Sequence, residues 1–159
     1  MGCGKTKVGL LLARRLGRVF VDTDAMVEEK AGKRVSDIFG EEGEEQFRRL
    51  EHVCVVEAAQ RPDAVVALGG GAIVRAENRD AIPEGIVIYL RAKPETLLDR
   101  VSGNEERPLL AGLDRMGKLE KIQRMLRERE PFYRKAHLVV DTDGRSVEEV
   151  VEEIRDQGA

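Results

Sequence analysis

Gly2-Cys3-Gly4-Lys5-Thr6 and Asp22-Thr23-Asp24 are the strings of this chain best equipped for chemistry. Glycines let consecutive backbone N–H groups curl around an anion, and a helix starting there turns its positive end toward it. Lys5 has the reach to meet the outer phosphates of a nucleotide, and the Thr6 hydroxyl suits magnesium. Asp22 and Asp24 stand at the end of the next apolar run, where ligands bind in open α/β sheets. There Asp22 can hold magnesium through water and Asp24 can hydrogen-bond the hydroxyl to be phosphorylated. Each string has a plain alternative: a helix cap beside a surface lysine, or a solvated acid pair with one acid capping a helix. Their setting, ahead of an amphipathic helix and within an α/β chain, favours phosphoryl transfer.

The elements that must position these residues alternate from end to end, the pattern of a parallel sheet covered by helices. Val8, Leu11, Leu12 and Leu16 form a helical stripe closed by Gly17. Val19-Phe20-Val21 reads as a buried strand ending at Asp22, with Asp24 as N-cap of a helix over Ala25 to Lys30. Ser36 to Ala59 reads as helix broken near Gly40 and Gly43, with Phe47, Leu50, Val53 and Cys54 on one face. Ala64 to Leu68 and Ile86 to Leu90 are further apolar strands, the first running into Gly69-Gly70-Gly71. Pro94 opens a helix to about Val101. Residues 102–117 hold three glycines, a proline and several charges, and read as a mobile lid. A long charged helix then runs to about Lys135, followed by a strand from Leu138 to Asp141 and a helix from Ser146. With no repeat and no linker, residues 1–159 read as one domain.

All four strands are short and apolar throughout, as strands covered on both faces are. A phosphate loop of this type follows a strand, and none precedes Met1. The full template of glycine, four residues, then Gly-Lys-Thr puts its first glycine two residues ahead of Met1, so the natural chain is expected to begin about ten residues earlier. An unfilled strand position exposes backbone groups that need partners.

Composition narrows the partners. The chain has 27 Lys and Arg against 30 Asp and Glu, a formal net charge of −3, which disfavours a nucleic-acid-binding role. Aromatic residues are 4% and Trp is absent, so Ile, Val and Leu supply most of the core. Cys3 and Cys54 match neither metal-ligand spacing nor a disulfide framework, and read as reduced thiols, Cys54 inside a helix. No apolar run has the roughly 20 residues needed to cross a bilayer, and no secretory signal is present, so the expectation is a cytoplasmic protein without membrane contact.

The chain resembles the shikimate kinase family along its whole length. Six strings in order carry the likeness: Met1-Gly-Cys-Gly-Lys-Thr, Asp22-Thr-Asp, Phe47-Arg-Arg-Leu-Glu51, Leu68-Gly-Gly-Gly-Ala72, Arg107-Pro-Leu-Leu110 and Arg129-Glu-Pro-Phe-Tyr133. The resemblance implies an α/β P-loop kinase whose parallel sheet, ordered 2-3-1-4-5, is flanked by helices, with the first strand missing from this chain. It implies transfer of the γ-phosphate of MgATP to the 3-hydroxyl of shikimate, with Mg2+ as cofactor.

It also implies roles by position. Lys5, Asp24 and Arg107 would be catalytic, with Arg107 neutralising charge on the transferred group as the lid closes over it. Gly2, Cys3, Gly4, Lys5, Thr6 and Lys7 would border the phosphates, with Arg107 beside them and Arg100 and Arg145 near adenine. Asp24, Arg48, Gly70, Gly71 and Arg129 would bind shikimate, the two arginines taking its carboxylate as guanidinium forks. Glu51, one helical turn from Arg48, would orient it. Thr6 and Asp22 would hold the metal.

The chain departs from the family at Lys7, which stands where a second small hydroxyl residue is common. Cys3 occupies a variable loop position, and its thiol beside Lys5 and a helix start is expected to have a lowered pKa. The rival readings are another small-molecule kinase, such as one for gluconate, and a catalytically inactive kinase-like module. Against the second, a dead site has no chemical need for Lys5, Thr6, Asp22, Asp24, Arg107 and Arg129 together. No surplus apolar stripe is evident, so a monomer is expected.

Overall fold

The computed structural model describes residues 2–82, 85–102 and 108–158. Its first helix, α1, spans Lys5–Leu16 and starts from Gly4, whose φ of 92° is a left-handed conformation that glycine adopts at little cost. Gly17 ends it, returning its N–H to the carbonyls of Ala13 and Arg14. The chain then enters β1, Val19–Asp22, and α2, Thr23–Ala31. Asp22 caps α2, accepting from the Asp24 N–H at 3.0 Å, rather than Asp24 as the sequence suggested. The extended backbone at Asp22 places its carboxylate over the first helical turn, and Asp24 lies inside that turn with its side chain released to the site.

Two helices follow, α3 at Val35–Glu41 and α4 at Gly43–Ala59. The break falls once, at Glu42, and Gly40 lies within α3. On α4 the buried positions are Phe47, Glu51, Cys54, Val55 and Ala58, a helical stripe with a carboxylate in it. Val53, expected on that face, is half exposed at 50% because it projects from the other side. After β2, Ala64–Ala67, come a single 3-10 turn at Ala72–Val74 and the short α5, Ala76–Ala81, neither of which the sequence reading anticipated.

The second half holds β3, Ile88–Arg91; α6, Pro94–Val101; a 3-10 turn at Pro108–Leu110; α7, Arg115–Tyr133; β4, Leu138–Asp141; and α8, Val147–Asp156. Asp114 caps α7 by accepting from the Gly117 N–H at 2.8 Å, so the helix begins inside the segment expected to be a lid. Within that segment Leu110 is buried at 3% against Leu98 and Ile122. Ser146 and Glu149 form a reciprocal capping box that starts α8.

The strands pair in parallel, β1 with β2 and β3 with β4. Val21 lies opposite Val66 in the first pair, and Leu90 opposite Val140 in the second. Arg91 and Asp141, opposite each other, form a two-pronged ion pair at 2.7 Å that marks the second register. Among the described residues β2 and β3 do not pair with each other. Both line a largely apolar cleft of about 1010 Å³. It falls between the second and third observed strands.

The core is built of aliphatic side chains. Val8 and Leu12 of α1 pack with Leu90, Val140, Val150, Val151 and Ile154. A second cluster joins Val21, Met26, Val27, Ile38, Phe47, Cys54 and Ala58. Each buried Val, Leu, Ile, Met or Phe among them contributes about 1.5–3 kcal/mol by leaving water. Gly9 lets α1 approach β1, because a Cβ there would stand 2.5 Å from the Phe20 ring.

Candidate active site

The carboxyl ends of β1 and β2 and the start of α1 meet at one place. The Thr6 hydroxyl donates to Asp22 Oδ2 at 3.0 Å, joining helix start and strand end. Lys5 points its ammonium at Cys3 Sγ, 3.9 Å away. Burial works against the charged lysine, yet Cys3, Asp24, Tyr133 and Asp22 around it hold its pKa above the ordinary value. Burial alone would raise the Cys3 thiol, but Lys5 first and then backbone hydrogen bonds pull it down. The expected low-pKa thiol therefore has a structural basis. Lys7 is exposed beside Thr6 at the start of α1.

Asp24 links the phosphate side to the acceptor side. Its carboxyl is raised by burial and by Asp22, with Lys5 and Arg48 pulling the other way. Arg48 donates to Glu51 Oε2 at 2.8 Å and to Glu44 Oε1 at 2.9 Å, so its fork is oriented in advance. Glu51 is almost wholly buried, at 1% exposure. Its second oxygen, Oε1, has no hydrogen-bond partner among the described residues. Burial pushes the Glu51 carboxyl up and Asp24 adds to it, against the Arg48 hydrogen bond.

The glycines after β2 make room for this cluster. A Cβ on Gly69 would lie 2.6 Å from Glu51 Oε1 and 2.7 Å from Asp24 Oδ1. One on Gly71 would lie 2.5 Å from Arg48 Nη1. Space for the facing charges is thus a reason for these glycines that their sequence did not reveal. Arg129 lines the cleft with Lys5, Gly69 and Gly70, within electrostatic reach of Glu51.

The structure brings Lys5, Thr6, Asp22, Asp24, Arg48, Gly70, Gly71 and Arg129 to this region. Arg100 donates to the Thr142 carbonyl at 2.7 Å and to the Gly2 carbonyl of the loop at 3.5 Å. Arg145 is engaged with Glu153 and with the Asp141 and Glu149 carbonyls. Arg107 lies outside the described residues. Sequence reasoning overlooked Thr23, the middle residue of Asp-Thr-Asp. It is fully buried, accepts from the Gly69 N–H at 3.0 Å, and contacts the Ala67 carbonyl at 3.3 Å. A hydroxyl residue between two acids at a strand end was the only signal. Asn78 was missed as well; buried on α5, it donates to the Ala72 carbonyl at 2.9 Å and meets His52 at 2.7 Å.

A phosphate loop opening onto an acid at a strand end, with an arginine-lined recess beyond it, places the chain among P-loop kinases of small molecules. A family model described as shikimate kinase matches residues 1–158. The shikimate kinase of Symbiobacterium thermophilum is 52% identical over 99% of this chain and 91% of its own length. That of Moorella thermoacetica is 45% identical over 98% of this chain and 88% of its own length. Among solved structures, shikimate kinase from Acinetobacter baumannii in complex with shikimate superposes with a TM-score of 0.93 at 38% identity, covering 99% of this chain and 87% of that one. The Bacteroides thetaiotaomicron shikimate kinase gives 0.89 at 31% identity, covering 99% and 93%. The chain belongs to the shikimate kinase family.

Proposed function

We propose that this chain transfers the γ-phosphate of ATP to the 3-hydroxyl of shikimate, with Asp24 as the residue between donor and acceptor. The observation that carries this reading is the position of Asp24. Its carboxylate is within electrostatic reach of Asp22, Lys5 and Arg48, and lies against Gly69. A carboxylate in that place orients an acceptor hydroxyl toward the phosphates and takes up its proton as the new P–O bond forms.

Gly2, Cys3, Gly4 and Lys7 border the phosphates, and the Lys5 ammonium meets the oxygens on which charge develops. Arg107 is assigned to the same charge by its motif. Arg100 and Arg145 border the base. Arg48 and Arg129 take the shikimate carboxylate; Glu51 and Glu44 fix the Arg48 fork, which lowers the entropy lost on binding. Gly70 and Gly71 present backbone N–H groups. Thr6 and Asp22 fit Mg2+, because their oxygens stand 3.0 Å apart and are the hard donors this cation prefers. When bound, Mg2+ supplies charge neutralisation across the phosphates.

ADP release with MgATP, measured with shikimate, with gluconate and with neither, tests the reading. Release that depends on shikimate alone supports it. Release that depends on gluconate, or on neither acid, overturns it.

A further inference from the structure

Gly70 and Gly71 offer N–H groups that have no hydrogen-bond partner among the described residues. A peptide unit is planar, so each N–H points where the preceding carbonyl allows. The Gly70 N–H is set by the Gly69 carbonyl, which accepts from the Ala72 N–H at 3.0 Å within the turn itself. The Gly71 N–H belongs to the same plane as the Gly70 carbonyl. That carbonyl is held from another element, by the Tyr133 hydroxyl at 2.6 Å.

Tyr133 is the last residue of α7, one helical turn beyond Arg129 and on the same face. Its ring lies 4.7 Å from that of Tyr89 on β3, tilted by 32°. The Tyr89 hydroxyl in turn donates to Glu130 at 3.1 Å. The Tyr133 hydroxyl is therefore placed before any ligand arrives. Glycine has no Cβ to resist rotation of the Gly70–Gly71 peptide, so little else stops that plane from turning.

We infer that Tyr133 is a positioning residue for the phosphoryl acceptor: by holding the Gly70 carbonyl it aims the Gly71 N–H into the acceptor pocket and couples that N–H to Arg129. This rests on the proposed function and adds a residue to it. Tyr133 itself touches neither reacting atom. Its contribution is to the affinity for a polyhydroxy acid, not to the chemical step.

Tyr133→Phe removes the hydroxyl and keeps the ring contact with Tyr89. The expected result is a shikimate KM raised roughly tenfold, the effect of one lost hydrogen bond, with kcat and the ATP KM within about twofold of the parent. In the ligand-free protein, amide exchange across 69–72 should quicken while that of β1 is unchanged. An unchanged KM with unchanged exchange would overturn the inference. So would a common fall in kcat, both KM-derived affinities and Tm, which marks a structural prop alone. Should the parent show no shikimate-dependent turnover, the proposed function fails, and the exchange comparison still decides whether Tyr133 orients Gly71.

Discussion

Glu51 shows what the site demands of a single residue. It is a charged side chain in a core stripe, with one oxygen on Arg48 and the other without a partner among the described residues. Its pKa in the folded chain lies above the ordinary 4.5 because burial outweighs the Arg48 interaction. The folded state therefore binds more protons than the unfolded chain in that window, and stability falls as pH rises from about 4.5 through the folded value. Glu51→Gln should flatten this slope in denaturant titrations across pH 4–7; an unchanged slope would show that Glu51 is not the group responsible. Arg48→Leu leaves Glu51 without its partner and removes a carboxylate fork. We expect the shikimate KM to rise by roughly two orders of magnitude, in line with losing one side of a desolvated charge pair, with the ATP KM little changed. Steady-state kinetics in both substrates checks this. Residue type and spacing alone singled out Lys5, Thr6, Asp22 and Asp24, which the fold brings to one place. Arg48 and Arg129 were legible only by resemblance, since a lone arginine on a helix says nothing of what it faces. Thr23 and Asn78 were not legible, because a buried hydroxyl or amide earns its place through partners 46 or 6 residues away, set by the fold.

At the scale of elements, boundaries were readable where caps carry chemistry. Gly17, Pro94 and Ser146 each mark an observed helix end or start. The α2 start was misplaced because Asp22 and Asp24 are equivalent as cap residues, and only the strand that delivers Asp22 decides between them. The turn at Ala72–Val74 and α5 escaped notice because three and six residues are too few to show a helical period. The glycine segment is the element most sensitive to volume. Gly69→Ala would push a methyl against Glu51 and Asp24, so we expect shikimate-dependent turnover to fall at least about 100-fold, as catalytic geometry is lost. Gly9→Ala meets the Phe20 ring instead of a charged group. It should lower stability by about 1–3 kcal/mol through overpacking and leave KM values near the parent's. Denaturant midpoints set beside kinetics for both variants separate the two effects.

For the whole molecule, the alternation of helix and strand signals announced an α/β frame, and the four observed strands fall close to their expected places. Their own composition carries no mark of their neighbours, and the expected order rested on the resemblance alone. The two parallel pairs and the cleft between β2 and β3 are tertiary facts. Among the described residues no helix is long and apolar enough to cross a membrane. Since the acceptor site draws on α2, α4, β2 and α7, binding there should stabilise the fold as a unit. Shikimate at about 100 times its Kd should add about 2.7 kcal/mol, a rise in Tm of roughly 5–10 °C for a chain of this size. The same concentration, close to the Kd expected of Arg48→Leu, should add only about 0.4 kcal/mol to that variant, a rise of roughly 1–2 °C in a thermal scan.

Phosphorus NMR of the reaction mixture, with the new ester located by its proton coupling, tests the assigned activity most directly. Incubation of the chain with MgATP and shikimate should give ADP and one new phosphate ester, coupled to the proton on carbon 3 of the ring. Inorganic phosphate alone, an ester on another hydroxyl, or unchanged ATP and shikimate would contradict the assignment of Asp24 and the arginine pocket to this transfer.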